Sequence, residues 1–326
     1  MQRRGIVLRA LAPAAAALSI GTAAHAAVVN MNGDDALGTS SFNSGLHWSD
    51  AAAPSAGNQY DTAGFLLRTP ADGSNYTFGG DSLTLTSSAA LGADLNDGLL
   101  YKGSATSTIT INNLTANGGV LRQANNEAQV FTLAGNGLTV GPNGMAVHVQ
   151  GPLTVTSPVS GSGPIRIMAS GSNDVRRVFE LASAASTYTG SIELTNATQA
   201  RLHLADTGVL DFVVGASGTN NRIFGAGGVA ALDGKFDFNL SAADTTPGSI
   251  WQIVDNAALT ETYGPTFAVN GFTDNGNDTW SRLANGVTYT FSETTGALTA
   301  SAVPEPATLG LLALAPLVLT VRHRRK

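Results

Sequence analysis

Cysteine is absent from all 326 residues, so neither disulfides nor thiolate metal sites can hold this chain together, and stability has to come from packing and backbone hydrogen bonds. Charged residues make up only 12% of the chain and aromatic residues 6%. No His-Glu-x-x-His run and no serine nucleophile elbow occurs, and His47, His148 and His203 lie too far apart to show metal-ligand spacing. Between Ala27 and Ala302 no run of ten residues combines helical apolar spacing with good helix formers. Hydrolysis by a serine or cysteine nucleophile, zinc catalysis and a helical fold therefore lose their sequence basis.

The ends of the chain are distinct from its middle. Arg3, Arg4 and Arg9 precede an apolar, alanine-rich stretch from Ala10 to Ile20, and Ala24 and Ala26 supply small residues before Ala27. Positive start, apolar run and small-x-small ending are the parts of a signal peptide, with signal peptidase cutting between Ala26 and Ala27. At the other end Pro304, Glu305 and Pro306 precede an apolar run from Ala307 to Val321 and a basic end from Arg322 to Lys326. At about 1.5 Å rise per residue that run reaches roughly 22 Å as a helix, short of the ~30 Å hydrocarbon core. The basic cluster would stay in the cytoplasm and leave the rest of the chain outside.

The order Pro-Glu-Pro, short apolar segment, basic terminus resembles the PEP-CTERM sorting signal of Gram-negative bacteria. The resemblance covers the last two dozen residues. It implies recognition by an exosortase-type membrane protease and a location at the cell envelope, on the outer surface or in the extracellular matrix.

Seven of the 17 basic residues and one of the 23 acidic residues lie in the two end segments, which leaves residues 27–302 with 10 against 22 and a net charge of −12. Such a surface repels phosphate backbones and anionic headgroups, so neither nucleic acid nor the membrane surface is an expected partner, and the C-terminal segment is the only expected membrane contact. No cofactor is implied.

The middle of the chain is glycine-rich and broken into short alternating pieces: "LTLT" from Leu83, "TITI" from Thr108, "VFTL" from Val130, "LTVT" from Leu153, "VFEL" from Val178 and "RLHL" from Arg201. Each reads as a short strand with one apolar face. Aligning the inward pairs Ile109/Ile111, Phe131/Leu133, Leu153/Val155, Phe179/Leu181 and Leu202/Leu204 gives steps of 22, 22, 26 and 23 residues. A near-constant step with Gly, Asn and Ser punctuation predicts an all-β solenoid, a right-handed parallel β-helix. A β-sandwich or jelly roll is the alternative, because its strands recur every eight to twelve residues. "LTV" from Leu138, "IRIM" from Ile165 and "SIEL" from Ser191 would form a further face.

The stretch from Val178 to Leu204, "VFELASAASTYTGSIELTNATQARLHL", is similar to the passenger repeats of bacterial autotransporters. That similarity implies a β-helix and no particular ligand.

The expected organisation is a signal peptide at 1–26, a β-helix region with an N-terminal cap at 27–246, a β-rich capping unit at 247–302 and the sorting and membrane segment at 303–326. Helices are expected only in the signal peptide and the C-terminal segment. Trp48 and Tyr60 before the repeats, and Trp251, Tyr263, Phe267, Phe272, Trp280, Tyr289 and Phe291 after them, read as caps over the exposed ends of a core. Asn285-Gly286 and the turn at Thr295-Gly296 predict antiparallel hairpins in the last unit.

The same alignment stacks Thr110, Thr132, Thr154, Glu180 and His203 along one outward face, with Arg201 diagonal to Glu180. Glu180, Arg201 and His203 are the candidate surface cluster, with Asp206 as a loose fourth member. On a parallel scaffold such a set could carry acid–base chemistry on acidic polysaccharide. More ordinarily it is a solvated polar face. The acidic turns Asp94, Asn96, Asp97 and Asp274 to Asp278 offer oxygen ligands but lack the spacing of a calcium loop, and read as turns. The expected function is a structural or adhesive surface protein with no catalytic residue assigned. The alternative is a polysaccharide-binding protein or a lyase or glycosidase. Exopolysaccharide or matrix is the expected partner beyond the two processing proteases.

Overall fold

The computed structural model describes residues 26–124, 129–170, 176–195 and 200–303. Among them the protein is all-β and contains no helix. The signal-peptide and sorting segments, and the helices expected in them, lie outside the described residues.

Most strands fall into three parallel ladders. The first runs through Ala27–Asn30, Asn58–Asp61, Ser82–Thr86, Asn113–Asn117, Gly137–Val140, Val159–Gly161 and Thr187–Tyr188. The second runs through Leu66–Arg68, Gly98–Tyr101, Val120–Gln123, Met145–Val149, Ile165–Ala169, Ile192–Leu194 and Ile223–Gly225. The third runs through Tyr76–Thr77, Ser107–Thr110, Phe131–Ala134, Leu153–Val155, Val178–Leu181, Arg201–Leu204, Val229–Leu232 and Thr260–Tyr263. From Asn58 to Leu204 the chain visits first, second and third ladder in rotation, so hydrogen-bonded neighbours are three strands apart in sequence. A short parallel sheet of Val209–Val213, Lys235–Asn239 and Ala268–Val269 follows the first ladder. The pairing in all four sheets is parallel, not the antiparallel pairing of a β-sandwich or jelly roll.

Alternation does what period-two patterning dictates: in Phe131–Ala134 and Arg201–Leu204 every second side chain is buried. The inward residues of all three ladders join one continuous apolar cluster. Leu153 lies beside Phe131 and Phe179, and Leu202 beside Phe179, as the sequence steps predict. The first step is different. Leu133 pairs with Ile109, and Phe131 pairs with Ser107, so the expected match of Ile109 to Phe131 is shifted by two residues. A slip of two keeps every side chain on its own face, so alternation cannot detect it. Tyr101 fixes the observed register: its ring stacks on Phe131 at 4.6 Å and its hydroxyl lies 2.7 Å from the buried Ser107 hydroxyl.

In the second ladder Met145–Val149 is covered on both faces, and all five of its residues are buried. Residues 87–97 cross its outer side. Arg166 Nη1 donates to the Leu91 carbonyl at 3.0 Å, and a Cβ on Gly92 would meet the Met168 methyl at 2.7 Å. "LTV" from Leu138 belongs to the first ladder, whereas "IRIM" and "SIEL" are neighbours in the second.

Aromatic clusters close both ends. Trp48, Tyr60, Phe78 and Phe42 pack edge to face at the start, with Trp48 and Tyr60 4.8 Å apart. At the other end five antiparallel strands, in the order Ile250–Gln252, Ala297–Ala302, Val287–Ser292, Thr279–Ala284 and Thr273–Gly276, pack against the last ladder strands. Asn285 and Gly286 both take positive φ, 51° and 79°, as a tight two-residue hairpin requires. Inside the same stretch of sequence, Thr260–Tyr263 extends the third ladder and Ala268–Val269 the short parallel sheet.

Candidate functional site

Glu180 and His203 stand directly opposite each other on neighbouring strands of the third ladder, and Thr154, Thr132 and Thr108 continue the same row. Thr110, expected in that row, pairs with Ala134 because of the two-residue shift. Glu180 Oε2 lies 2.6 Å from His203 Nδ1. A third group, not anticipated from the sequence, completes the cluster: Asp233 Oδ2 lies 2.9 Å from His203 Nε2. Asp233 directly follows Val229–Leu232, the next strand along, so three consecutive strands of the ladder are tied through one imidazole.

Both ring nitrogens of His203 therefore face carboxylate oxygens. The three side chains keep 27–35% of their surface exposed, so solvent screens the contacts between them. Arg201, two residues before His203 on the same face, joins His203, Val178, Val229 and Ala231 around an opening of about 270 Å³. Asp206 is exposed, accepts its neighbour's N–H from Thr207 at 3.0 Å and stays outside the cluster.

The acidic turns are used locally. Asp94 Oδ1 accepts the Asn96 N–H at 2.8 Å, Asp97 Oδ2 accepts the Ser87 hydroxyl at 2.5 Å, and Asp274 Oδ1 accepts the Gly276 N–H at 2.7 Å. In the second ladder Arg166 and Glu193 face each other with Nε and Oε2 2.9 Å apart. His148 is buried beneath the outer cover of that ladder. Burial first, then Arg122 and Arg177, pushes it down to about 4.

A second carboxylate pair went unnoticed in the sequence. Asp211 and Asp237 are direct partners on Val209–Val213 and Lys235–Asn239, beside an opening of about 230 Å³. Burial, with the like charge of Asp237 as the smaller cause, pushes Asp211 up to about 6. The folded state then holds more protons than the unfolded state between the ordinary value near 3.8 and about 6. Stability from this group is present at low pH and is lost as pH rises through 6. The expected result is that Asp211→Asn melts above the unsubstituted protein at pH 7.5 and that the gain vanishes near pH 3.5. Thermal melts at the two pH values check it, and a variant less stable at pH 7.5 would refute it.

Of the remaining sequence candidates, Ala26 is the first described residue and Ala27 opens the first strand, pairing with Asn58. Pro304, Glu305 and Pro306 lie outside the described residues, two positions beyond the last strand, Ala297–Ala302. No helix among the described residues is long and apolar enough to cross a membrane.

Fold and site together define an all-β protein of parallel sheets with an antiparallel closing sheet and a carboxylate-clamped histidine on one outer face. Comparison with protein-family models, with curated proteins and with solved structures finds no match for the chain.

Proposed function

We propose that this chain is an exported structural or adhesive protein of the cell surface or extracellular matrix, and that its three ladders are the faces of one right-handed parallel β-helix. The observation that carries the proposal is the rotation of the chain, from Asn58 to Leu204, through three parallel ladders around a shared apolar core. Seven spacings of about 4.8 Å in the eight-stranded ladder make a stiff rod of roughly 34 Å, the form of a spacer. Aromatic clusters at each end shield the strand edges that would otherwise recruit further chains.

Export rests on the N-terminal pattern and sorting on Pro304, Glu305 and Pro306, with signal peptidase and an exosortase-type protease as processing partners. Acid–base chemistry on polysaccharide at Glu180, Arg201 and His203 is the weaker alternative, because both imidazole nitrogens are engaged by carboxylates and none is left to exchange a proton with substrate.

Intact mass and N-terminal sequencing of protein from washed envelopes and spent medium of the native host test the proposal. The expected product starts at Ala27 and ends close to Pro304 to Pro306. A full-length chain confined to the cytosol would overturn it.

A further inference from the structure

A cavity of about 450 Å³ lies outside the start of the second ladder, away from the His203 cluster. Its walls are apolar at Leu37, Pro70 and Leu100, and Leu37 is 81% exposed although the cavity beside it is open. Three polar features converge there. Thr69 is 4% exposed, and its hydroxyl has no hydrogen-bond partner. Arg68 is held in place by its Nε, which donates to the Asp35 carbonyl at 2.8 Å, and Lys102 is exposed at the rim. Among the described residues neither cation has an ion-pair partner. The Asp35 carboxylate accepts the Ser41 and Arg68 N–H groups and the Ser41 hydroxyl.

The one carboxylate in the cavity wall, Asp72, is already taken. It accepts the Tyr76 hydroxyl at 2.6 Å and the Ser74 N–H at 2.9 Å, and these bonds, that of Tyr76 first, hold it below the usual carboxylate range. The cavity wall thus holds two cations against one carboxylate, a net positive charge on a region that carries a net −12. Volume, apolar walls and a few convergent polar groups are the ordinary marks of a small-molecule site.

We propose that this cavity binds a hydroxylated organic carboxylate, the chemistry of a uronic acid unit. The carboxylate lies between Arg68 and Lys102, the carbon-bound face lies on Leu37, Pro70 and Leu100, and a ligand hydroxyl satisfies Thr69. Charge-assisted bonds supply the anchor, and the orphaned hydroxyl supplies discrimination against ligands without a polar partner. The site is independent of how the chain is exported, so its failure would leave the surface-protein proposal intact.

Isothermal titration calorimetry of the full-length chain with glucuronate, glucose and hexanoate is the test. Glucuronate is expected to bind saturably at about millimolar affinity or tighter, and glucose and hexanoate each about tenfold more weakly. Lys102→Ala, a change at an exposed side chain, is expected to weaken glucuronate about tenfold with the melting temperature unchanged. Thr69→Val is expected to weaken glucuronate and leave hexanoate unaffected. Absence of saturable glucuronate binding, binding indifferent to Lys102→Ala, or glucose or hexanoate binding as tightly as glucuronate would overturn the proposal.

Discussion

Phe236→Ala is expected to lower stability by about 3–5 kcal/mol and the melting temperature by about 10 °C or more. Phe236 is fully buried in Lys235–Asn239, and its ring meets Phe212 at 4.7 Å, Phe267 at 5.0 Å and Phe291 at 5.7 Å. Phe212 belongs to the neighbouring parallel strand, whereas Phe291 belongs to the antiparallel closing sheet. One side chain thus joins the last parallel strands to the cap. Truncation removes its burial, leaves a cavity that backbone ladders on both sides keep from collapsing, and separates aromatic pairs on two sheets at once.

A second signature follows from the same position. With the joint weakened, the closing sheet is expected to melt before the ladders, so a denaturant titration followed by tryptophan fluorescence should split from one followed by backbone circular dichroism. Phe224→Ala serves as the control, because Phe224 is only half-buried under the Arg222 guanidinium, 4.8 Å from its ring centre, and should cost far less. Equal melting temperatures for Phe236→Ala and the unsubstituted chain would show that the cap does not depend on this contact.

The fold was legible wherever the core made every second residue apolar. Phe131/Leu133, Leu153/Val155, Phe179/Leu181 and Leu202/Leu204 announce one ladder, and the structure stacks them in that order. The shift at Ile109 was illegible because Ser107 occupies a core position, and only the Tyr101 hydroxyl makes serine acceptable there. Met145–Val149 in the second ladder lacks alternation because residues 87–97 cover its outer face, and "MAVHV" is apolar but for His148, as a doubly buried strand should nearly be.

At the candidate site Glu180 and His203 were within reach of sequence reasoning because they occupy matched positions in "VFEL" and "RLHL". Asp233 was not, because it sits just past a strand end in an Asp-Gly pair that looks like any turn. Asp211 and Asp237 had a signal that passed unused. "VLDFV" and "KFDFN" carry an aspartate at the same place between apolar residues, and placing one strand over the other brings the two carboxylates together.

Gly161→Ala is expected to cost about 2–5 kcal/mol, the sum of two separable penalties. Gly161 has φ of 98°, a conformation that L side chains rarely adopt, and a Cβ built there would lie 2.1 Å from the carbonyl oxygen of Val140, its ladder partner. That contact is backbone against backbone, so no rotamer change relieves it and neighbouring strands must move apart. On the other side Gly161 accepts the Thr189 N–H at 2.9 Å, which fixes it between two strands of the ladder. Gly218 isolates the conformational part, since its φ is 80° and nothing lies within 4 Å of an added Cβ. Gly218→Ala should therefore cost only about 1 kcal/mol. Urea unfolding of both variants gives the difference, which measures how tightly successive strands approach at the corner between the first and second ladders. Equal costs would mean that the backbone there yields freely, and a ladder that yields at its corners would be too soft for the rod-like spacer proposed for this chain.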